Sequence, residues 1–355
     1  MTDMTNNERT ASHVPVLLGD RPVGQGNNCF IIAEAGVNHN GSAEMAHRLV
    51  DVAADAGADA VKFQTFDPEL VVATDAQAAP YQRAAGHARQ DEMLRALTLP
   101  DITWRELAAH AAEREIAFLS TAFDASSLDV VLDLGVVALK VPSGELDNLA
   151  FIARLARCGL PLIISTGMGD LEEVAAAVRT AAGAPGLCIL HCVTAYPTPV
   201  EASNLRALCT LDQQFRVPVG WSDHTGGSVT AVAAIALGAA MLEKHFTLDR
   251  SLPGPDHAAS EDPDSFRAYV RDVRAAESAL GDGVKRPADV ERANRLHARR
   301  SYHARVPLRA GQTIGADDVL LLRPARGLAP SADVVGRVCA RDIAQGQPLC
   351  AGDVR

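Results

Sequence analysis

Ala43-Glu-Met-Ala-His-Arg-Leu-Val-Asp-Val-Ala-Ala-Asp-Ala56-Gly57-Ala-Asp-Ala-Val-Lys62-Phe-Gln64 contains the fold in miniature. Apolar residues recur at helical spacing as far as Ala56, and Gly57 stands where a helix C-terminal glycine belongs. The run that follows then reads as a strand buried on both faces, ending on polar groups. Outward from this unit the pattern repeats. Strand-like runs fall at Phe30–Glu34, Ala58–Gln64, Ala117–Thr121, Val136–Val141, Leu160–Thr166, Leu187–Cys192, Val217–Ser222 and Ala240–Phe246. Helical segments lie between them, among them Ile102–Arg114, Ser126–Leu134, Leu171–Ala182 and Ser228–Leu237, with a closing helix near Pro263–Leu280. Gly135, Gly159 and Gly238 punctuate the series as Gly57 does. Eight such units over some 250 residues predict an α/β fold, a (β/α)8 TIM barrel. A doubly wound sheet is the rival, but no Gly-x-Gly-x-x-Gly follows the first strand.

The run from Val14 to Gly24 predicts a hairpin able to plug the barrel floor. The barrel domain is assigned to residues 1–283 and a polar linker to 284–297. Residues 298–355 form a small β-rich domain with an internal duplication. Arg305-Val-Pro-Leu-Arg-Ala-Gly-Gln-Thr-Ile-Gly-Ala-Asp-Asp-Val319 and Arg341-Asp-Ile-Ala-Gln-Gly-Gln-Pro-Leu-Cys-Ala-Gly-Asp-Val354 share one pattern.

The 355-residue chain is 48% hydrophobic with a net charge of −11, which disfavours nucleic acid and anionic membranes as partners. No apolar run is long enough to span a bilayer, and residues 1–13 lack the basic start and apolar stretch of a secretory signal. Seven cysteines without a Cys-x-x-Cys pair suit reduced, packed thiols in the cytoplasm, Cys188 and Cys192 included. Only four of the 33 basic residues are lysines. Three of them, Lys62, Lys140 and Lys244, lie inside strand-like runs, where an ammonium is costly unless paired or used.

In a barrel of this kind the active site lies at the C-terminal strand ends. Those ends read Glu34; Lys62 and Gln64; Thr121; Lys140 and Ser143; Ser165 and Thr166; His191 and Tyr196; Ser222 and His224; Glu243 and His245. Cations and hydroxyls in one place suit a phosphorylated, carboxylated ligand. Alternation puts Lys62 and Gln64 on one face and sets Lys244 opposite His245. Two imidazoles on adjacent strands, His224 and His245, suit a divalent cation with open positions. The bland reading is that they are hydrogen-bonded structural histidines, and His191 is expected to be buried and satisfied. A zinc hydrolase of the amidohydrolase type would want His-x-His after the first strand, which the stretch Glu34–Gly41 lacks.

Seven stretches in order resemble the sialic acid (N-acetylneuraminate) synthase family, which includes the legionaminate synthases. They are Ile32–Ser42, Gly57–Phe66, Lys140–Glu145, Ser165–Met168, His191–Pro199, Gly220–Thr225 and Glu243–His257. The duplicated tail resembles that family's antifreeze-like (SAF, β-clip) domain. The resemblance implies condensation of phosphoenolpyruvate with the open-chain aldehyde of an N-acetylhexosamine, giving a nine-carbon 2-keto acid and phosphate. It implies that Lys62, Thr121, Lys140, Ser143, Ser165 and Ser222 hold phosphoenolpyruvate; Gln64, on the strand face of Lys62, is expected at the substrate as well. His224 and His245 would bind Mn²⁺, with Mg²⁺ or Co²⁺ as alternatives, and Glu34 would stand beside the reacting water. Tyr196 and Asp256 would contact the sugar, as would Arg323 from a neighbouring subunit in a homodimer with exchanged tails. Thr194 departs from members that carry asparagine there. The expected substrate is N-acetylmannosamine. The alternative is the diacetamido-trideoxyhexose of N,N'-diacetyllegionaminate synthases, with which Tyr81–Leu99 is also compatible. Two readings of other classes are a metal-dependent hydrolase, which would not need Lys62 and Lys140, and a non-catalytic carbohydrate-binding barrel.

Overall fold

The computed structural model describes residues 14–78, 83 and 88–355. The leading stretch 1–13 and part of Tyr81–Leu99 therefore lie outside the described residues. The chain divides into two compact units at Gly281/Asp282.

The first unit is a closed barrel of eight parallel strands: β3 Phe30–Gly36, β4 Ala60–Thr65, β5 Ala117–Ala122, β6 Leu139–Val141, β7 Leu162–Ser165, β8 Leu187–Cys192, β9 Val219–Asp223 and β10 Met241–His245. They follow chain order around the ring, and β10 closes on β3. Both strand faces are buried, one in the lumen and one under the helices, which is why the sequence shows continuous apolar runs. Helix Ala43–Ala56 is started by Ser42, whose Oγ accepts from Met45 N at 3.3 Å. It ends on Gly57 at φ 81°, a conformation that costs a glycine nothing. Helices Gln90–Ala96, Leu149–Ala156 and Ala207–Phe215 complete the outer ring and the mouth. They are short, at seven to nine residues, so their period is weak in the sequence.

Strands β1 Val16–Leu18 and β2 Arg21–Val23 form the expected hairpin. Val16, Leu18 and Val23 join the main core. Val16 crowds Gly186, Gly19 meets Val137 and Gly24 meets Pro218. Those partners lead into β8, β6 and β9, so the hairpin covers the N-terminal end of the barrel.

The second unit has its own core of Ala304, Leu308, Ile314, Val319, Val334, Cys339, Ile343 and Leu349. Strands β11 Ser301–Ala304 and β12 Val319–Leu322 pair antiparallel. The duplication is physical. Gln312 Oε1 accepts from Arg309 N at 3.0 Å, and Gln347 Oε1 accepts from Ala344 N at 3.2 Å. Asp318 accepts from Gly315 N and Asp353 from Cys350 N in the same way. The segment before it is a short helix, Arg292–Ala298, with no buried residue. Among the described residues no helix is long and apolar enough to cross a membrane.

Candidate active site

Strand register builds the site. Glu34 lies laterally opposite Lys62 on one side and His245 on the other; Gln64 pairs with Thr121, Thr121 with Lys140, and Ser222 with Glu243. Residues from all eight strands or the loops after them line one cavity of about 490 Å³ at the C-terminal end. Glu34, Lys62, Gln64, Thr121, Lys140, Ser143, Ser165, Thr194, Tyr196, Ser222, His224, His245 and Asp256 all face it. Arg323 belongs to the second unit, directly after β12.

Four charges form the floor. Lys62 Nζ is 2.5 Å from Glu34 Oε2, 3.6 Å from Glu243 Oε2 and donates to Thr121 Oγ1 at 3.1 Å. Lys140 Nζ donates to Ser165 Oγ at 2.7 Å and lies 3.8 Å from Glu243 Oε1. Ser222 Oγ donates to that same carboxylate at 3.1 Å, and Gln64 Nε2 donates to Glu34 Oε1 at 3.0 Å. Glu243 is therefore a hub that the sequence reading left without a role. Its signal was available, since it stands two residues before His245 and so on the same strand face. The floor is thus charge-balanced, two ammoniums against two carboxylates.

Burial raises the Glu34 carboxyl, with Lys62 opposing and Glu243 reinforcing, and the outcome is a group titrating at about 7. Glu243 is equally buried, but Lys140 and then Lys62 outweigh the desolvation and hold it at about 2. Burial pulls Lys140 below the usual lysine range, whereas Glu243 and Glu34 overcome that effect at Lys62 and raise it. One carboxyl poised near neutrality beside one that stays ionised is a general acid/base arrangement.

His224 and His245 face each other across the mouth with ring centroids 5.5 Å apart. His224 Nδ1 is 2.8 Å from the Val193 carbonyl, to which it donates as Nδ1–H, which leaves the Nε2 lone pair available. Burial lowers His224, but Cys192 and the Val193 carbonyl raise it more. His245 is held well below the usual histidine range by burial, then by His224 and Lys62. Its Nδ1 is buried and has no hydrogen-bond partner. Two imidazoles, one orphaned and neutral, fit a cation. Among the described residues no three His, Cys, Asp or Glu groups form a complete cage. Such an ion would therefore take the rest of its shell from water or substrate oxygens. The Tyr196 ring lies against His224 at 4.2 Å, tilted by 35°, and meets His245 edge-on at 5.7 Å. Asp256 is pushed up to about 6 by burial, with His224 opposing.

Close backbone approach marks the site. Gly36, at φ +55°, takes a backbone conformation that favours glycine and lies in contact range of Gln64, Glu34 and Asp256. Gly167 N donates to Ser143 Oγ at 3.0 Å, and a Cβ there would fall 2.2 Å from Thr194 Oγ1.

Lys244, set opposite His245 by strand alternation, points away from the cavity, 3.3 Å from Asp223 and 3.7 Å from Glu261. Two other expectations change. Cys188 is core, but Cys192 lines the cavity, because its strand ends there and its side chain faces inward. His191 is satisfied by the Ser203 carbonyl at 2.9 Å and packs on Trp221, yet is only half-buried. A wall of Val37, Phe66, Val71, Met93, Leu94 and Leu97 also lines the cavity and was not foreseen.

The sequence pattern of the NeuB family matches residues 49–285, and that of the SAF domain matches residues 299–355. An N,N'-diacetyllegionaminic acid synthase of Legionella pneumophila is 44% identical over 341 residues, 93% of this chain and 96% of the relative. One from Campylobacter jejuni is 40% identical over 84% of this chain and 92% of the relative. A crystal structure of N-acetylneuraminic acid (sialic acid) synthetase from Leptospira borgpetersenii, in complex with citrate, superposes with a TM-score of 0.70 at 31% identity. It covers 80% of this chain and 95% of that one.

Proposed function

The chain belongs to the NeuB family, and on that premise we propose that it condenses phosphoenolpyruvate with the open-chain form of a diacetamido-trideoxyhexose to give N,N'-diacetyllegionaminate and phosphate. This replaces N-acetylmannosamine as the expected sugar. The legionaminate synthases are 44% and 40% identical to this chain, against 31% for the sialic acid synthetase of known structure. The observation that carries the reaction class is the single cavity shared by Lys62, Lys140, Glu34, His224 and His245. A hydrolase has no use for the lysine floor, and a binding module has none for a carboxyl titrating at about 7.

Phosphoenolpyruvate carries roughly three negative charges near pH 7. Lys62 and Lys140 exchange part of their bonding with Glu34 and Glu243 for its carboxylate and phosphate oxygens, with Thr121, Ser143, Ser165 and Ser222 donating around them. Glu243 stays ionised and bridges the two ammoniums, offsetting their mutual repulsion. A divalent cation bound by His224 and His245, Mn²⁺ by preference and Mg²⁺ or Co²⁺ otherwise, would supply Lewis-acid polarisation of the aldehyde oxygen. C3 of the enol forms the new bond to the aldehyde carbon, and C2 becomes electron-deficient. Glu34 accepts a proton from the water that adds to C2, helped by its position against Gln64 and Lys62. The aldehyde oxygen takes up a proton as its carbonyl π bond breaks, the C2 hydroxyl gives one up, and cleavage of the bond between C2 and the phosphate oxygen releases phosphate and leaves the 2-keto acid. Tyr196, Asp256, Gln64 and Thr194 orient the sugar.

The assembly we infer is a homodimer with exchanged C-terminal domains, in which Arg323 reaches the sugar site of the other subunit. The compartment is the cytoplasm, in keeping with seven free thiols. The test is phosphate release from purified protein given phosphoenolpyruvate, Mn²⁺ and either sugar, with mass detection of the product. Turnover of the diacetamido-trideoxyhexose in preference to N-acetylmannosamine supports the reading; no phosphate with any aminosugar ends it.

A further inference from the structure

Outside the barrel core, Val37, Met93 and Leu97 form a separate buried apolar cluster with Phe66 and Leu94 packed on it. All five also line the catalytic cavity. Phe66 meets Phe123 edge-on at 6.2 Å, and Phe123 lines the cavity as well. The cluster stands one step outward from the charged floor. Val37 follows Glu34 by three residues, and Phe66 follows Gln64 by two. The rest comes from helix Gln90–Ala96 and the residue after it. Gln90 is the one polar cavity-lining residue of that helix among the described residues. Three further polar groups of the mouth, Thr194, Tyr196 and Asp256, sit on the loops after β8 and β10.

We propose that this wall is the specificity determinant for the distal end of the sugar, receiving the C6 methyl and the methyl of the second acetamido group. The inference rests on the reaction proposed above. The reacting C1 must lie at the lysine floor, so the far end of a six-carbon chain falls on the outer ring, where the wall is. An apolar surface facing a cavity gains from covering apolar groups of a ligand. A hexose ending in CH2OH would bring a hydroxyl against side chains that offer it no partner. The wall favours the deoxy sugar by attraction and penalises the hydroxylated one by desolvation. For a methyl or hydroxyl difference in an apolar site, discrimination of about 10- to 200-fold is the expected scale.

The experiment measures kcat/KM for the diacetamido-trideoxyhexose and for N-acetylmannosamine with wild type, Leu94→Asn and Leu94→Met. Val71→Thr, an isosteric change at a residue 38% exposed, serves as a second variant that leaves packing alone. The expected result is a loss of preference of about tenfold or more in Leu94→Asn and a smaller loss in Val71→Thr. The preference is kept in Leu94→Met, and the KM for phosphoenolpyruvate does not change. Parallel loss on both sugars, or an unchanged ratio in both polar variants, overturns the wall as a determinant while leaving the reaction standing. A wild type that prefers N-acetylmannosamine overturns the reaction as proposed, and that result is visible before any variant is made.

Discussion

Two buried lysine environments lie back to back across β10, and they differ in what they leave undone. Inside the barrel, Lys62 and Lys140 bond to hydroxyls and to two carboxylates that serve as well as bind, next to an imidazole nitrogen with no partner. Behind the strand, Lys244 is fully engaged. It lies 3.3 Å from Asp223 and 3.7 Å from Glu261, donates to the carbonyls of Thr225 and Gly227, and sits 5.2 Å above the Tyr269 ring. Asp223 in turn accepts from Thr225 and Thr230. The outer network ties the loop after β9 to the barrel and to the turn before helix Pro263–Leu280. A satisfied charge cluster holds structure; an incompletely satisfied one is free to bind.

The sharpest way to break that contrast is the same substitution at both sites. Lys140→Met is expected to lower kcat/KM by about 10³-fold, with a smaller loss of stability than Lys244→Met, because Lys62 still faces Glu243. Lys244→Met strands Asp223 and Glu261 without their cation, and a loss of about 3–5 kcal/mol is expected in denaturant titration. Equal destabilisation by the two variants would erase the distinction between a working lysine and a structural one.

Next in size is the dependence on pH. Glu34 must be ionised to take the proton of water, so kcat/KM should fall about tenfold for each unit below its value of about 7. In Glu34→Gln this acid limb should vanish along with most of the activity; a limb that survives assigns it elsewhere. The linked effect on stability runs the other way. The native carboxyl sits above its unfolded value, so its contribution is fully present below about 4.5 and is lost as pH rises through about 7. Glu243 is depressed to about 2, so its contribution is present above about 4.5 and is lost as pH falls through about 2.

A smaller effect sharpens the comparison at the histidines. Mn²⁺ at 100 times its Kd should add about 2.7 kcal/mol to stability, visible as a Tm shift. His245→Ala should abolish that shift, whereas Lys244→Met should keep it in proportion to the protein that remains folded. An unchanged Mn²⁺ shift in His245→Ala removes the imidazole pair as the ion's holder. Smallest of all, Arg323→Ala should raise the sugar KM several-fold with little change for phosphoenolpyruvate. Equal rises would contradict a contact specific to the sugar.

Much of this was readable from the chain because a buried parallel strand has a simple code. Continuous apolar runs with polar ends gave eight strands, and two-residue alternation put Lys62 with Gln64 and set Lys244 apart from His245. Glu243 obeyed that code and was passed over, because a carboxylate next to a lysine looks like a neighbour rather than the partner of two other lysines across the lumen. Cys192 was passed over because cysteine is usually core. The apolar wall had no legible signal. Val37 and Phe66 come from two separate loops and Met93 from the helix Gln90–Ala96, and only the closed barrel brings them to one rim. Arg323 carries no mark in its local sequence.

The seam between β3 and β10 runs through the chemistry, since Glu34 faces Lys62 on one flank and His245 on the other. A nascent chain that ends before residue 240 already carries both working lysines and neither Glu243 nor His245. A chain cut anywhere before β10 therefore lacks the second carboxylate of the floor and one of the two imidazoles, so the last strand completes the ring and the site together.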